Sequence, residues 1–188
     1  MHAIFSRTSV GAMLVVAATE RELASIEGVD TLCCGIGPVE AAARVAASLA
    51  GQRPDIVLHI GIAGSRTVEP LTVVLGSIAV YEDFRAAIPV VDHVEPDETL
   101  LARARAWLPE APVLPIGTSA SVGGTTRCEV EAMEGFGVLR AAAAAGVPAL
   151  ELRTISNRFD DARAAWRIDE ALAALAAAVR SLLEARHA

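Results

Sequence analysis

The sequence predicts a single α/β domain, a mixed twisted sheet flanked by helices, and three observations carry that prediction. Short apolar runs alternate with alanine-rich stretches of helical spacing, the pattern of a sheet covered on both faces. The 188 residues are 53% hydrophobic and 21% charged, enough to bury one large core and too few for two. No internal repeat, low-complexity linker or charge-asymmetric half marks a second domain.

Residues 1–12 read as an unstructured N-terminal extension, Met13 offering an alternative start, with one domain over 13–188. Arg7 followed by the apolar run from Val10 to Ala18 imitates a signal peptide. That run empties directly into Thr19-Glu-Arg-Glu22, as a buried strand entering a polar loop does. Leu14 to Ala18 is therefore the first strand, and Val29 to Cys34 the second, ending at Gly35-Ile-Gly37. Pro38 opens a helix through Ala50, where its missing N–H costs nothing. Ile56 to Ile60 is a third strand, apolar except for His59, and leads into a turn at Gly61-Ile-Ala-Gly64. Leu71 to Tyr81 is strand-like with a break at Gly76, Leu100 to Leu108 is helical, and Val113 to Ile116 is a short strand. A helix from Ala132 to Ala145 stops at Gly146, a natural C-terminal cap. Pro148 to Ile155 is the last strand, and Ala162 to Ala185 a long helix with an apolar face of Ile168, Leu172, Leu175, Val179 and Leu182.

Composition excludes several chemistries. Alanine accounts for 38 residues, all 16 basic residues are arginine, and lysine is absent. A Walker-type phosphate loop, a Schiff-base enzyme and an ordinary kinase all need a lysine amine. A net charge of −7 without any basic run argues against a nucleic-acid surface. No segment approaches the roughly 20 apolar residues of a membrane span. The three cysteines, with Cys33 and Cys34 adjacent in an apolar stretch, suit thiols in a reducing, cytoplasmic setting. His2, His59, His93 and His187 lack the spacing of a metal site.

Loops at the carboxyl edge of such a sheet line the ligand crevice. Four segments qualify: Thr19-Glu-Arg-Glu22, Gly61-Ile-Ala-Gly64, Met133-Glu-Gly135 and Ser156-Asn157. Each has a structural reading of its own: a solvated turn, a tight turn, a helix start with a carboxylate favourable to the dipole, and a capped strand exit.

In this order the four segments resemble the nucleoside phosphorylase and nucleosidase superfamily. Gly35-Ile-Gly-Pro-Val-Glu-Ala-Ala42 is similar to its glycine turn and helix, Ala132-Met-Glu-Gly135 to its ribose-binding motif, and Leu150-Glu-Leu-Arg-Thr-Ile-Ser-Asn157 to the strand carrying its base-recognising residue. That last run, with Trp166-Arg-Ile168 downstream, most resembles the futalosine hydrolase branch. The resemblance covers about residues 13–186 and implies a nucleoside phosphorylase-like fold. It also implies hydrolysis of the N-glycosidic bond of futalosine, releasing hypoxanthine on the way to menaquinone.

The reaction builds positive charge on the sugar and negative charge on the departing base, so it needs a water activator, a grip on the ribose and hydrogen bonds to the base. The resemblance gives these tasks to Glu22, with Glu20 the neighbouring alternative; to Glu134, with Met133 against the sugar; and to Asn157 with Ser156. Backbone N–H groups of Ala63 and Gly64 orient ribose or water. Adenine-specific relatives carry aspartate where Asn157 stands. An amide instead offers N–H to a 6-oxo group and C=O to a protonated ring nitrogen.

No metal and no organic cofactor is expected. The expected partners are a small nucleoside and further copies of the chain, a dimer or higher. Ile62 at the glycine segment, where a serine hydroxyl often binds phosphate, argues against a phosphorylase. A methylthioadenosine, S-adenosylhomocysteine or aminodeoxyfutalosine nucleosidase, and a non-catalytic nucleoside binder, stay open. The stretch from Gly64 to Met133 is short, and the segment expected to bring an aromatic ring over the base is compressed into residues 119–126. Phe136 and Phe159 are the aromatic candidates, and Arg127, Arg153 and Arg158 those for a substrate carboxylate.

Overall fold

A computed structural model describes residues 11–186 except Thr125. The expected extension falls outside the described residues up to position 10. Ala12 is held to Asp55, donating its N–H to the carboxylate at 2.6 Å and accepting from the Asp55 N–H at 2.8 Å.

Among the described residues, eight strands and five α-helices follow in the order β1 (Met13–Ala17), α1 (Glu20–Leu23), β2 (Asp30–Cys33), α2 (Pro38–Gly51), β3 (Ile56–Ser65), β4 (Val73–Tyr81), β5 (His93–Val94), α3 (Glu98–Trp107), β6 (Val113–Thr118), β7 (Val130–Ala132), α4 (Gly135–Ala145), β8 (Ala149–Arg158) and α5 (Ile168–Ala185). The strand order is β2-β1-β3-β7-β6-β4-β5, and β8 pairs with both β3 and β4. Strands β3, β8, β4, β6 and β7 therefore close into a ring, from which β1 and β2 extend as an open wing. The sheet is mixed, as expected: β3 runs parallel to β1 and β8 and antiparallel to β7.

One core lies under α2 and α4, where Val16, Val45, Val57, Val138 and Leu139 pack together. A second lies under α3 and α5, around Leu58, Ile60, Leu152, Leu175 and Val179, and a third gathers Ala63, Val74, Ile116, Val130 and Ile155 from the ring strands. The expected face of α5 is the buried one: Leu175, Val179 and Leu182 are each below 5% exposed. Gly146 ends α4 in the left-handed region at φ 66°, and the break at Gly76 is a register shift between β4 and β6.

Several boundaries differ from the sequence reading. The segment expected to turn at Gly61–Gly64 continues β3 to Ser65, because β8 pairs with it residue by residue. The helix expected from Ala132 starts at Gly135, since Val130–Ala132 is recruited as β7 between β3 and β6. The helix expected from Ala162 is a 3-10 turn over Arg163–Ala165, with α5 beginning only at Ile168. Helix α1 and strands β5 and β7 carry too few residues for periodicity to reveal them.

Candidate active site

Residues of all four segments meet in one cavity of about 360 Å³ at the carboxyl ends of β1, β3 and β8. Its lining includes Glu22, Ala63, Gly64, Met133, Glu134, Ser156 and Asn157. The cavity thus gathers every expected site residue. Glu20 does not line it.

Glu22 is placed by a capping box at the start of α1. Its Oε2 accepts from the Thr19 N–H at 3.0 Å and from the Thr19 hydroxyl at 2.8 Å, while its own N–H reaches back to Thr19. Its Oε1 accepts from the Ile62 N–H at 3.1 Å. The structural reading of this segment, a helix cap, and the functional one therefore coexist in one carboxylate. Three of its roughly four acceptor positions are occupied, which fixes the group and leaves one position for a water. Within Gly61–Gly64, it is Ile62 whose backbone N–H meets a site carboxylate; Ala63 and Gly64 form the floor as part of β3.

Glu134 stands at the N-terminus of α4 and is 4% exposed. Its Oε1 accepts from the Gly37 N–H at 3.0 Å. Gly37 sits at φ 95°, a backbone conformation suited to glycine, so the glycine turn before α2 exists to aim this donor. Burial pushes the Glu134 carboxyl above the ordinary glutamate range, against the pull of the Arg153 guanidinium and the Gly37 N–H.

Arg153, offered by the sequence for a substrate carboxylate, has another place. It is 1% exposed, donates to Glu151 Oε1 at 2.8 Å, lies 3.8 Å from Glu134 Oε2 and contacts His59 Nε2. His59 Nδ1 lies 3.1 Å from the Val16 carbonyl and donates to it, which leaves Nε2 an acceptor and the ring neutral. Burial and the neighbouring Arg153 both hold its pKa well below the ordinary value. Gly61 makes room for this arrangement. A Cβ there would lie 2.1 Å from Arg153 Nη1 and 2.7 Å from Glu22 Oε1. One guanidinium thus braces Glu151 and Glu134 and faces Glu22. The opposite charges of Glu151 and Arg153, two residues apart in a strand and so on one face of it, were the signal of that network.

A break in register re-aims the Ser156–Asn157 end of the cavity. Ala63 pairs with Ile155 and Gly64 with Asn157, so Ser156 is an extra residue in β8. Successive strand residues ordinarily face opposite sides; here the bulge lets both Ser156 and Asn157 line the cavity. The Ser156 hydroxyl donates to Asn157 Oδ1 at 2.8 Å, and Asn157 Nδ2 donates to the Arg158 carbonyl at 2.9 Å. The amide keeps one N–H and one lone pair for a ligand.

The aromatic candidates lie elsewhere. Phe136 stacks on Tyr81 at 5.0 Å, and Phe159 lies against Gly64 and Gly124 beneath Arg66. Trp166 is the aromatic residue lining the cavity, with the Arg163 guanidinium 4.3 Å over its ring. Arg127 pairs with Glu82 and Arg158 with Glu69. The lining cations are Arg21 and Arg163. Arg21 also pairs with Asp169.

Cys34 is buried, and burial pushes its thiol up to about 12; all three cysteines are free. Among the described residues no group of three or more His, Cys, Asp or Glu side chains is arranged to hold a metal, and no helix is long and apolar enough to cross a membrane.

A model of the Phosphorylase superfamily matches residues 28–184. Futalosine hydrolase from Streptomyces coelicolor is 39% identical, the match covering 83% of this chain and 79% of that protein. Among solved structures, the native futalosine hydrolase of Helicobacter pylori superposes with a TM-score of 0.84 at 18% identity, covering 93% of this chain and 98% of that one. An MTA/SAH nucleosidase of Streptococcus pneumoniae, in complex with 8-aminoadenine, gives 0.81 at 21% identity, covering 93% and 99%. These two likenesses describe the fold.

Proposed function

The chain belongs to the phosphorylase superfamily, and we propose that within it this molecule hydrolyses the N-glycosidic bond of futalosine to release hypoxanthine, a step of menaquinone biosynthesis. The 39% identity to a futalosine hydrolase makes the chain a hydrolase of N-glycosidic bonds. Futalosine as the substrate is the finer reading. The observation that carries it is an amide, Asn157, held at the base end of a cavity whose other end bears Glu22 and Glu134.

In the proposed reaction Glu22 takes a proton from a water that attacks the sugar carbon as the bond to the base breaks. The Glu134 carboxylate accepts from the ribose hydroxyls and stabilises cationic character on the ring, with Met133 against the sugar. Arg153 keeps these carboxylates from repelling one another, at a site where like charges without a counter-ion would be costly. Ala63 and Gly64 form the floor. Asn157, oriented by Ser156, donates to the 6-oxo group and accepts from the imidazole N–H that forms as the departing base takes a proton from solvent water. Its role is to stabilise the leaving base, since an amide has no acidic proton to give.

The reaction draws on water and side chains, without metal or organic cofactor. Cytoplasmic placement and assembly of two or more copies belong to the same proposal. The domain is taken to span 13–188.

Chromatography of products from futalosine, aminodeoxyfutalosine, methylthioadenosine and inosine, each with and without phosphate, tests the assignment. The expected result is hypoxanthine from futalosine at a rate indifferent to phosphate. Adenine from methylthioadenosine as the main product would transfer the assignment to an adenine-specific nucleosidase. A phosphate requirement with a ribose 1-phosphate product would make the chain a phosphorylase.

A further inference from the structure

Asn157, Glu22 and Glu134 account for the base, the water and the ribose hydroxyls of a nucleoside, which leaves one wall of the cavity without a task. Arg163, Trp166, Ile168 and Leu172 form it, from the chain that leads into α5, and Arg21 of α1 joins them through its ion pair with Asp169. The Arg167 N–H donates to the Ser156 carbonyl at 2.8 Å, which fastens that chain to β8. Arg163 and Trp166 lie three residues apart about the 3-10 turn, so their side chains fall on the same side of it. The Trp166 indole N–H donates to the Asp161 carbonyl at 3.3 Å and fixes the ring.

Of the two lining cations, Arg21 is engaged by Asp169, whereas Arg163 is in no ion pair among the described residues. Its guanidinium lies 4.3 Å over the Trp166 ring. Stacking uses the face of a guanidinium, while its N–H donors point outward in the plane, in a fork that matches a carboxylate. The rest of the cavity is unfavourable to an anion. Glu22, Glu131 and Glu134 line it in a chain of net charge −7, so an anionic group on a substrate needs a cation at its own end. Ile168, Leu172 and the Trp166 ring supply apolar surface beside that cation.

We propose that Arg163, stacked on Trp166, is a specificity-determining residue that binds a carboxylate on an aryl group carried at the 5′ end of the nucleoside. With the base and the ribose hydroxyls held as above, the 5′ substituent is the part of the substrate left to meet this wall, and in that placement the assignment rests on the function proposed above. The 5′ substituent of futalosine ends in a carboxyphenyl group, which offers a ring to the apolar surface and a carboxylate to the fork. A methylthio group in its place would cover the apolar side chains and leave the guanidinium unused. Arg127, Arg153 and Arg158, which the sequence offers for a substrate carboxylate, are engaged by Glu82, Glu151 and Glu69.

Hydrolysis and calorimetric binding of futalosine and of its carboxamide, an uncharged tail of nearly the same shape, test it in the full chain. The wild type should favour futalosine by about 5- to 50-fold in kcat/KM, more than a fully exposed ion pair gives and within reach of a hydrogen bond to a charged group. The difference should lie in KM. Arg163→Gln should bring that ratio close to one, and Arg163→Lys, which keeps the charge and loses the fork, should fall between. A merely structural arginine would lower both substrates by the same factor. An unchanged ratio in Arg163→Gln therefore overturns the proposal, and so does equal use of the two substrates by the wild type, a readout that needs no variant to fold. Turnover of futalosine with no preference over the carboxamide would sink this role and leave the proposed function. Tighter, Arg163-dependent binding of futalosine without its hydrolysis would do the reverse, and a wild type that binds neither would sink both.

Discussion

Glu22 serves two tasks with one carboxylate. Oxygen Oε2 closes the cap of α1 and Oε1 points toward Ile62, beside the space that Gly61 leaves for Arg153. Glu22→Gln preserves an acceptor at the cap but removes the base. Turnover should fall about 10²- to 10⁴-fold, the usual worth of general base catalysis, while the melting temperature moves by no more than a lost cap allows, about 1 kcal/mol. Single-turnover kinetics and thermal unfolding of the same preparation separate the two roles. Glu134 supplies a pH prediction. Because its pKa is raised, the group protonates, as pH falls, at a pH above the ordinary glutamate value and then no longer accepts from both ribose hydroxyls. The acid limb of kcat/KM should accordingly lie above that value. The sign for stability is opposite: a carboxyl raised in the fold favours folding below its unfolded pKa and loses that contribution as pH rises through the folded one. A pH–rate profile whose acid limb sits at the unperturbed glutamate value would remove Glu134 from the role. At the base end, Asn157→Asp should shift preference from 6-oxo toward 6-amino nucleosides, read as the ratio of kcat/KM for futalosine and aminodeoxyfutalosine.

Strand β3 is the element on which the site depends. Its glycines permit close approach: Gly61 admits a guanidinium next to Glu22, and Gly64 leaves room for the Asn157 amide and the Phe159 ring. Gly61→Ala would place a methyl 2.1 Å from Nη1 of Arg153, whose guanidinium is tied through Nε to Glu151 and through Nη2 to His59 and has no solvent to move into. The variant should lose about 1–3 kcal/mol of stability, as overpacked cores do, and most of its activity. Denaturant titration and a futalosine assay check both; an alanine tolerated on both counts would disprove the tight fit. The same strand shows what was legible beforehand. The apolar run from Ile56, the four motif segments, the Pro38 helix start and the Gly146 cap are all local patterns, and they located the major elements and Glu22, Glu134 and Asn157. Ring closure was hidden, because β7 is three residues long and β8 pairs with two strands at once, a relation no local window contains. The task of Arg153 was hidden for the same reason. Its partners Glu134 and His59 come from other segments of the chain, so that proximity alone distinguishes a brace from a ligand for substrate.

At the scale of the molecule, ring closure leaves few exposed strand edges, so the proposed association of copies has to use another surface. Ile36 and Val39, in the turn and first helical turn at α2, are 63% and 76% exposed, and Val122, on the loop that Glu131 holds, is 52% exposed. Ile36 and Val122 also line the cavity. Isolated apolar side chains on a surface are ordinary, whereas a group of them at the rim of a cavity marks a surface to be covered. Burying such residues against a second copy would contribute about 1.5–3 kcal/mol for each fully covered side chain and would narrow the mouth of the site. Sedimentation velocity should therefore show a dimer or larger assembly at micromolar concentration. Ile36→Glu with Val39→Glu, which sets carboxylates on that surface without touching Glu22, Glu134 or Asn157, should shift the chain to monomer and raise KM for futalosine more than it lowers kcat. A wild-type chain that sediments as a monomer, or a double variant that dissociates with KM unchanged, would separate this apolar rim from the completion of the site.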